Sequence, residues 1–351
     1  MAEKKKKKQT VFVGLSGGVD SSVCAALLKK AGFSVTGIYM KCWTEGASCT
    51  TQEDERSARI AADHLGIPFF AWNFLDEYRK RVVEYMLEGY AKGITPNPDM
   101  MCNKEIKFGL FFEKAMSLGA DFVATGHYAR TEKRNGKTVL LKGVDPEKDQ
   151  SYFLSFIAPA VLDRVLFPVG KFTKTQVRDH ARKICLPNAE RKDSQGICFV
   201  GKVSIGDFLR EYIPAKEGNI VDAKGNILGK HDGSYYYTIG QRDGLGLAGG
   251  PYYVVKKDMR ANTVTVSKDE KDILEDTITL KEMNWFSRPE QSSAKMTAKF
   301  RYRQEDAPVS VEILDKDSCV IKADQPQRAV TPGQFAVLYK EDEVMGAGVI
   351  V

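Results

Sequence analysis

Seven residues near the start of the chain, Ser16-Gly17-Gly18-Val19-Asp20-Ser21-Ser22, restrict its fold more than any others. They follow a short apolar run, Val11-Phe12-Val13-Gly14-Leu15. They precede a helix-patterned run from Ser21 to Ala31, with apolar residues at Val23, Ala26, Leu27 and Ala31. Strand, glycine-rich turn and helix start is the context of an anion site. Backbone N–H groups converge at a helix N-terminus, and the helix dipole favours negative charge there. Gly17 and Gly18 carry no Cβ where a phosphate must come close, and the serines add hydroxyl donors. The loop lacks the Gly-Lys-Ser/Thr ending of Walker A and the Gly-x-Gly-x-x-Gly dinucleotide pattern. A carboxylate at Asp20 beside phosphates makes sense if Mg²⁺ lies between them. The plainer alternative is a serine- and glycine-rich turn.

From Val11 to about His127, apolar runs alternate with helical patterns. Strands are expected at 34–40, 67–72 and 121–125, and helices at 52–65, 76–90 and 104–118. This alternation predicts an α/β domain built on a doubly wound parallel sheet. Ligands in such sheets bind beyond the carboxyl ends of strands. The loop after the first strand, Met40 and Gly126-His127 all fall at such ends.

A chain of 351 residues calls for two or three domains. Its charge is +6, from 52 basic and 46 acidic residues. The first ten residues hold five Lys and one Glu, hence +4, so the remainder carries only +2. Any nucleic-acid site must therefore rest on local patches, and Lys4 to Lys8 reads as a solvated, disordered tail. No apolar run reaches a membrane-spanning length. Seven irregularly spaced cysteines point to free thiols in a reducing compartment, the cytoplasm.

Two prolines stiffen Gly93-Ile94-Thr95-Pro96-Asn97-Pro98-Asp99-Met100-Met101-Cys102-Asn103-Lys104. With Asn103 as a helix cap, Cys102 would precede a helix N-terminus beside Lys104, and both features lower a thiol pKa. Asp99 is a candidate general base. A buried structural Cys and a local turn-former are the alternatives.

Residues 130–144 read as a hairpin with an Asn135-Gly136 turn. Lys148-Asp149-Gln150 and the aromatic residues after it line either an RNA groove or the core. A helix from Phe172 to Ile184, capped by Thr173, carries Lys174, Arg178, Arg182 and Lys183, with Lys171 just before it and Arg191 and Lys192 just beyond. That basic cluster suits phosphate contacts or is a solvated face. From Gly201, short β-like runs alternate with turns, and Tyr235 to Arg242 reads either as an RNA-stacking strand or as an ordinary sheet face. After about Lys268, regularly spaced strands predict a closed barrel. The expected division is a tail at 1–9, a catalytic domain at 10–200, a small mainly-β domain at 201–268 and a C-terminal β-barrel at 269–351.

The loop resembles the Ser-Gly-Gly-x-Asp-Ser signature of the PP-loop ATP pyrophosphatases. Further motifs extend the resemblance along nearly the whole chain: Asn97-Pro98-Asp99-Met100-Met101-Cys102-Asn103-Lys104, Ala124-Thr125-Gly126-His127-Tyr128, Lys148 to Leu154, Asp193-Ser194-Gln195-Gly196-Ile197-Cys198-Phe199 and Tyr237 to Arg242. Together they are similar to the tRNA-specific 2-thiouridylases. The resemblance implies ATP-dependent sulfur transfer to carbon-2 of the wobble uridine of tRNA, releasing AMP and pyrophosphate. It implies ATP contacts at Gly14, Leu15, Ser16, Gly17, Gly18, Val19, Asp20, Ser21, Met40 and Gly126, with Asp20 on Mg²⁺ and no bound organic cofactor. It implies Cys198 as persulfide carrier and Cys102 as nucleophile, with the target base at Asn97, Pro98 and Asp99. It places tRNA contacts at His127, Lys148, Asp149, Gln150, Arg301, Tyr302 and Gln334, and makes 201–268 a tRNA-contacting domain. The implied partners are a sulfur donor, either a cysteine desulfurase or a relay protein, and a reductant for a transient Cys102–Cys198 disulfide.

Two other classes stay open: a PP-loop enzyme making a small amide or guanidino product, and an RNA-binding module with a vestigial ATP site. An iron–sulfur cluster on Asp99, Cys102 and Cys198 is a further alternative, although the spacing matches no standard cluster.

Overall fold

The structure, a computed structural model, describes residues 8–44, 51–193 and 205–351. Cys198, most of the Lys4–Lys8 run and the Cys42–Cys49 loop beyond Thr44 lie outside the described residues. The chain divides into two units, one of residues 1–81, 99–202 and 342–344, the other of 82–98, 203–341 and 345–351.

The first unit begins with β1 (Thr10–Gly14), α1 (Val19–Lys30), β2 (Ser34–Lys41), α2 (Thr51–Leu65), β3 (Phe69–Asn73) and α3 (Leu75–Tyr78). A π-helical turn, Arg79–Val83, then leads into α4 (Glu84–Ala91) of the second unit. The next helical run opens with α5 (Pro98–Met101), widens into a π-helical segment at Cys102–Leu110 and ends in α6 (Phe111–Ser117). The chain returns to the sheet through β4 (Phe122–Ala124), forms the hairpin β5 (Ala129–Arg134) and β6 (Lys137–Lys142), and adds β7 (Val165–Leu166) after the short α7 (Ser151–Leu154). The hairpin turns on Asn135 and Gly136, both at positive φ, as the Asn-Gly pair predicts. Helix α8 (Lys174–Lys183) carries the expected Thr173 cap, completed into a capping box by Gln176.

The sheet runs β3-β2-β1-β4-β7 with every pairing parallel. Val11 and Val13 are fully buried, and α1 packs Val23, Cys24 and Ala25 into the same core as Val177 and Ala181 of α8. The strand order reverses between β1 and β4. Such a reversal is where parallel sheets bind ligands, beyond the strands' carboxyl ends, and the Ser16–Ser22 loop and Thr125-Gly126-His127 both leave the sheet at that point.

The second unit holds α9 (Ile205–Tyr212), then β8 (Gly218–Val221), β9 (Ile227–His231), β10 (Tyr253–Asp258) and β11 (Thr263–Ser267) in the order β10-β11-β8-β9. Its remaining strands are β12 (Leu274–Trp285), β13 (Ser293–Lys299), β14 (Ala307–Ile313), β15 (Ser318–Arg328), β16 (Phe335–Lys340) and β17 (Glu343–Ile350). The order β12-β15-β14-β13-β16-β17, with β17 paired back onto β12, closes the barrel. Alternate residues such as Val309, Val311 and Ile313 face its core.

Tyr235 to Arg242 is not a strand. Ser234–Tyr236 is a 3₁₀ turn, and the Tyr235 and Tyr236 hydroxyls donate to the carbonyls of Pro214 and Ile213. Tied down in this way, both tyrosines hold the fold. Among the described residues no helix is long and apolar enough to cross a membrane.

Candidate functional site

The glycine-rich loop is fixed from within and from behind. Ser21 and Ser22 donate their hydroxyls to the Gly18 carbonyl at 3.0 and 3.1 Å, and Ser16 N–H donates to Ser21 Oγ at 3.2 Å. Gly17 has φ +82°, and a Cβ there would stand 2.3 Å from the Asp54 carbonyl oxygen, so glycine is required twice over. Its own carbonyl accepts from Ser57 Oγ at 2.8 Å, Asn188 Nδ2 at 2.9 Å and Arg191 Nη1 at 3.1 Å. These three donors pin the Gly17 peptide, and Asn188 also donates to Ser22 Oγ. Leu15 and Val19 are buried in the core, so they offer a ligand only backbone atoms. Met40 lies against Gly14, its Cε 3.0 Å from where a Cβ would be. Gly126 backs directly onto the first turn of α1.

Asp20 sits at the front of the loop. Lys174 Nζ donates to both of its carboxylate oxygens, at 2.7 and 2.8 Å, and the Tyr128 hydroxyl donates at 2.7 Å. Burial and the Asp20 charge push the Tyr128 phenol up, so it stays a donor. Lys174 also reaches Asp193 at 2.8 Å, and Asp193 further receives Lys148 at 2.9 Å and Arg178 at 2.8 Å. Desolvation opposes ionisation of Asp193, but the Lys174 and Lys148 bonds outweigh it and hold the carboxyl at about 2. Lys174, Arg178 and Lys148 thus form a cationic wall beside the glycine-rich loop, anchored by two carboxylates. Arg182, by contrast, pairs with Glu190 and Asp179 at the surface. Position 174 starts α8 and 178 lies one turn on, so helical spacing could have singled out this pair. Tyr128 and Asn188 carried no such signal.

The expected setting of Cys102 is corrected. Asn103 does not cap a helix: Pro98, with φ preset and no N–H to satisfy, starts the helical run earlier. Asn103 lies inside the run and donates to the Asp99 carbonyl at 3.0 Å. Cys102 consequently opens the π-helical segment, 4% exposed. Burial pushes its thiol up, and nearby Asp99 does the same, against the Lys107 charge and a Tyr78 hydrogen bond that favour the thiolate.

Two residues expected at tRNA are turned inward. His127 is buried between Phe108 and Phe167, with Nδ1 2.8 Å from Thr125 Oγ1. Burial and Lys107 hold it well below the ordinary histidine range, so it is a neutral ring packed in the core. Asp149 is buried too and accepts from Gly143 N–H, Ser151 N–H and Ser151 Oγ, while Gln150 Oε1 accepts from Tyr128 N–H at 3.0 Å. Asp149 and Gln150 hold the backbone that presents Lys148 and Tyr128.

The second unit contains Asn97, Pro98, Arg301, Tyr302 and Gln334. Arg301 is exposed, and the Arg303 guanidinium lies over the Tyr302 ring. Gln334 Nε2 donates to the Thr95 and Pro96 carbonyls at 2.8 and 3.3 Å.

Residues 9–202 match a family model described as a tRNA methyl transferase HUP domain, 206–268 a tRNA methyl transferase PRC-barrel domain, and 275–350 an aminomethyltransferase beta-barrel domain. The chain is 47% identical over 348 residues to the tRNA-specific 2-thiouridylase MnmA of Bacillus cytotoxicus, covering 97% of this chain and 94% of that one. It is 48% identical to the enzyme of that name from Geobacillus thermodenitrificans, with the same coverage. A solved 4-thiouridine synthetase, in complex with RNA and bound ATP, is similar over 59% of this chain and 50% of its own, at 20% identity and TM-score 0.40. On identity sustained across almost the entire sequence, the chain belongs to the family of tRNA-specific 2-thiouridylases.

Proposed function

We propose that this protein uses ATP to replace the carbon-2 oxygen of the wobble uridine of tRNA with sulfur, giving 2-thiouridine, AMP and pyrophosphate. The observation that carries the reading is the pinned Ser16–Ser22 loop flanked by Lys174, Lys148 and Arg178. A triphosphate meets N–H groups at the start of α1 and ammonium and guanidinium groups beside it. Attack of the uridine carbon-2 oxygen on the α-phosphorus expels pyrophosphate and leaves AMP on that oxygen, a good leaving group. Lys174 turns its charge from Asp20 toward the phosphates. The single Asp20 carboxylate, with phosphate oxygens, fits Mg²⁺, which takes few protein ligands; the ion would screen phosphate charge. Met40 and Gly126 border the adenosine.

The sulfur arrives on Cys198 as a persulfide from a donor protein. Its terminal sulfur attacks carbon-2 directly, after which Cys102 attacks the Cys198 sulfur and breaks its bond to the transferred sulfur, or Cys102 attacks Cys198 first and frees that sulfur as sulfide, which then attacks carbon-2. AMP leaves and a Cys102–Cys198 disulfide remains, which an external dithiol reduces. Asp99 lies near Cys102 and can take the thiol proton. The Lys107 charge and the Tyr78 hydrogen bond favour the thiolate once it forms. Asn97, Pro98 and Asp99 receive the unstacked uridine, and the basic surface and Arg301-Tyr302 hold tRNA phosphates and bases.

The test is thiolation of a wobble-uridine tRNA with ATP, Mg²⁺ and a persulfide donor, comparing wild type with Cys102→Ser and Cys198→Ser. Thiouridine from wild type alone is expected. Full activity in either variant would remove the two-thiol scheme. ATP cleavage that needs a small carboxylate instead of tRNA would replace the reading with a ligase. A visible absorbance band from anaerobically purified protein would reassign the cysteines to a cluster.

A further inference from the structure

We infer that Tyr128 is a positioning residue for Asp20: its hydroxyl holds carboxylate oxygen Oδ1 and leaves Oδ2 as the oxygen that meets the divalent cation of a bound nucleotide. The cation's part rests on the nucleotide reading above, while the hydrogen bond stands within the first unit alone.

Asp20 lies in the first turn of α1 and receives two donors of unlike freedom. The Tyr128 hydroxyl donates to Oδ1 at 2.7 Å, and Lys174 Nζ donates to Oδ1 and Oδ2 at 2.7 and 2.8 Å. The ammonium ends a flexible four-carbon stem, so it can follow a phosphate while α8 stays in place. The phenol cannot follow. Its ring is 2% exposed and packs in the core that holds Val169, Val177 and Ala181. The backbone that carries it is fixed as well. Tyr128 N–H donates to Gln150 Oε1 at 3.0 Å, and the Tyr128 carbonyl accepts from Gln150 N–H at 2.8 Å. A Cβ on Gly143 would lie 2.7 Å from that carbonyl oxygen, and one on Gly126 would lie 2.6 Å from Ser21 N. The segment bearing Tyr128 therefore abuts the turn bearing Asp20, and both ends of the 2.7 Å bond are set by backbone packed on backbone.

A carboxylate without such a partner turns about its Cβ–Cγ bond and presents either oxygen, or both. Mg²⁺ binds at short, near-octahedral distances and takes few protein oxygens, so it favours one oxygen held in one direction. When Lys174 turns to the phosphates, Oδ1 keeps the phenol, and Oδ2 has no other donor among the described residues. Tyr128 thus keeps the carboxylate from rotating. Loss of such a partner behind a ligating group typically costs about 10- to 100-fold in metal affinity.

The experiment uses the full chain as wild type, Tyr128→Phe, Asp20→Asn and the Tyr128→Phe/Asp20→Asn double variant. Phenylalanine keeps the buried ring and removes only the hydroxyl. Calorimetry measures the affinity of α,β-methylene-ATP, which resists cleavage, in EDTA and again in saturating Mg²⁺; the ratio gives the tightening due to the metal. Tyr128→Phe is expected to lose about tenfold of that tightening, with affinity in EDTA within about twofold of wild type. Asp20→Asn is expected to lose at least as much, and the double variant no more than Asp20→Asn, because Tyr128 acts through Asp20. Full metal-dependent tightening in Tyr128→Phe, or a double variant about tenfold worse than Asp20→Asn, would overturn the inference. So would an equal loss in EDTA, the mark of a merely structural role. Wild-type affinity that is the same in EDTA and Mg²⁺ would remove the inference and leave the nucleotide site. Wild type that binds no analogue in either would remove the proposed function as well.

Discussion

Gly126→Ala tests whether the first turn of α1 must sit where it does. A Cβ at position 126 would stand 2.6 Å from Ser21 N, 2.8 Å from the Asp20 carbonyl carbon and 2.9 Å from Ser21 Cα. All three are backbone atoms, so no side chain can rotate away. Gly126 is not among the positive-φ residues, so the cost is steric and not conformational. Ordinary contact begins near 3.4 Å, so the end of β4 and the start of α1 must part by roughly 0.8 Å. Overpacking of this kind costs about 1–3 kcal/mol. In a unit of this size that lowers Tm by about 3–10 °C. The same displacement moves the N–H groups proposed to hold the phosphates, and a shift near 1 Å costs on the order of 100-fold in rate. The assay is a thermal melt together with AMP release at varied ATP. Gly18→Ala is the control within the same loop, because its Cβ would meet only Ser16 Oγ at 3.5 Å. It should leave Tm unchanged. Wild-type melting and wild-type ATP kinetics in Gly126→Ala would refute the argument that this contact sets the loop.

Three further outcomes follow from the electrostatics. Lys174→Met removes the ammonium shared by Asp20 and Asp193 and should destabilise the protein by about 2 kcal/mol at pH 7, since the pairs are only partly exposed. Asp193 is depressed to about 2, so its contribution is present above the ordinary carboxylate range and lost as pH falls through 2; urea melts should show the gap to wild type narrowing as pH falls from about 4 to about 2. Cys102, buried with a raised thiol pKa, should react with iodoacetamide far more slowly at about pH 7.5 than exposed Cys185, and about tenfold faster per pH unit through about pH 9. Peptide mass mapping reads both rates, and a Cys102 rate flat above about pH 7 would contradict the burial argument. Burial lowers Lys257 to about 8, so the unfolded chain binds the extra proton between pH 8 and its ordinary range, and stability from this group rises with pH across that window. Lys257→Met should flatten the rise, worth up to about 3 kcal/mol, in melts from about pH 7 to about pH 10.5.

What could be read from the sequence was what local pattern decides. The strand before Ser16, the glycines and the helix after them are set by neighbours a few residues apart, and the parallel sheet and closed barrel follow from repeated patterns of the same range. What local pattern leaves open is the setting of residues whose state depends on where the rest of the chain packs. Pro98 starts the helical run four residues before Cys102 and so places the thiol inside the run, where burial outweighs the nearby lysine and reverses the expected direction of its pKa. His127 and Asp149 look like surface groups in a polar motif, and only packing against Phe108 and Phe167, or against the Gly143 and Ser151 amides, makes them internal. Tyr128, Lys174 and Asp193 are far from the loop in sequence: Lys174 meets Asp20 because α8 packs on α1, Asp193 joins through Lys174, and Tyr128 comes from the segment after β4 that backs onto α1. A motif therefore names the atoms that approach a ligand, while the charge and proton state of those atoms are set by partners that no local spacing reveals.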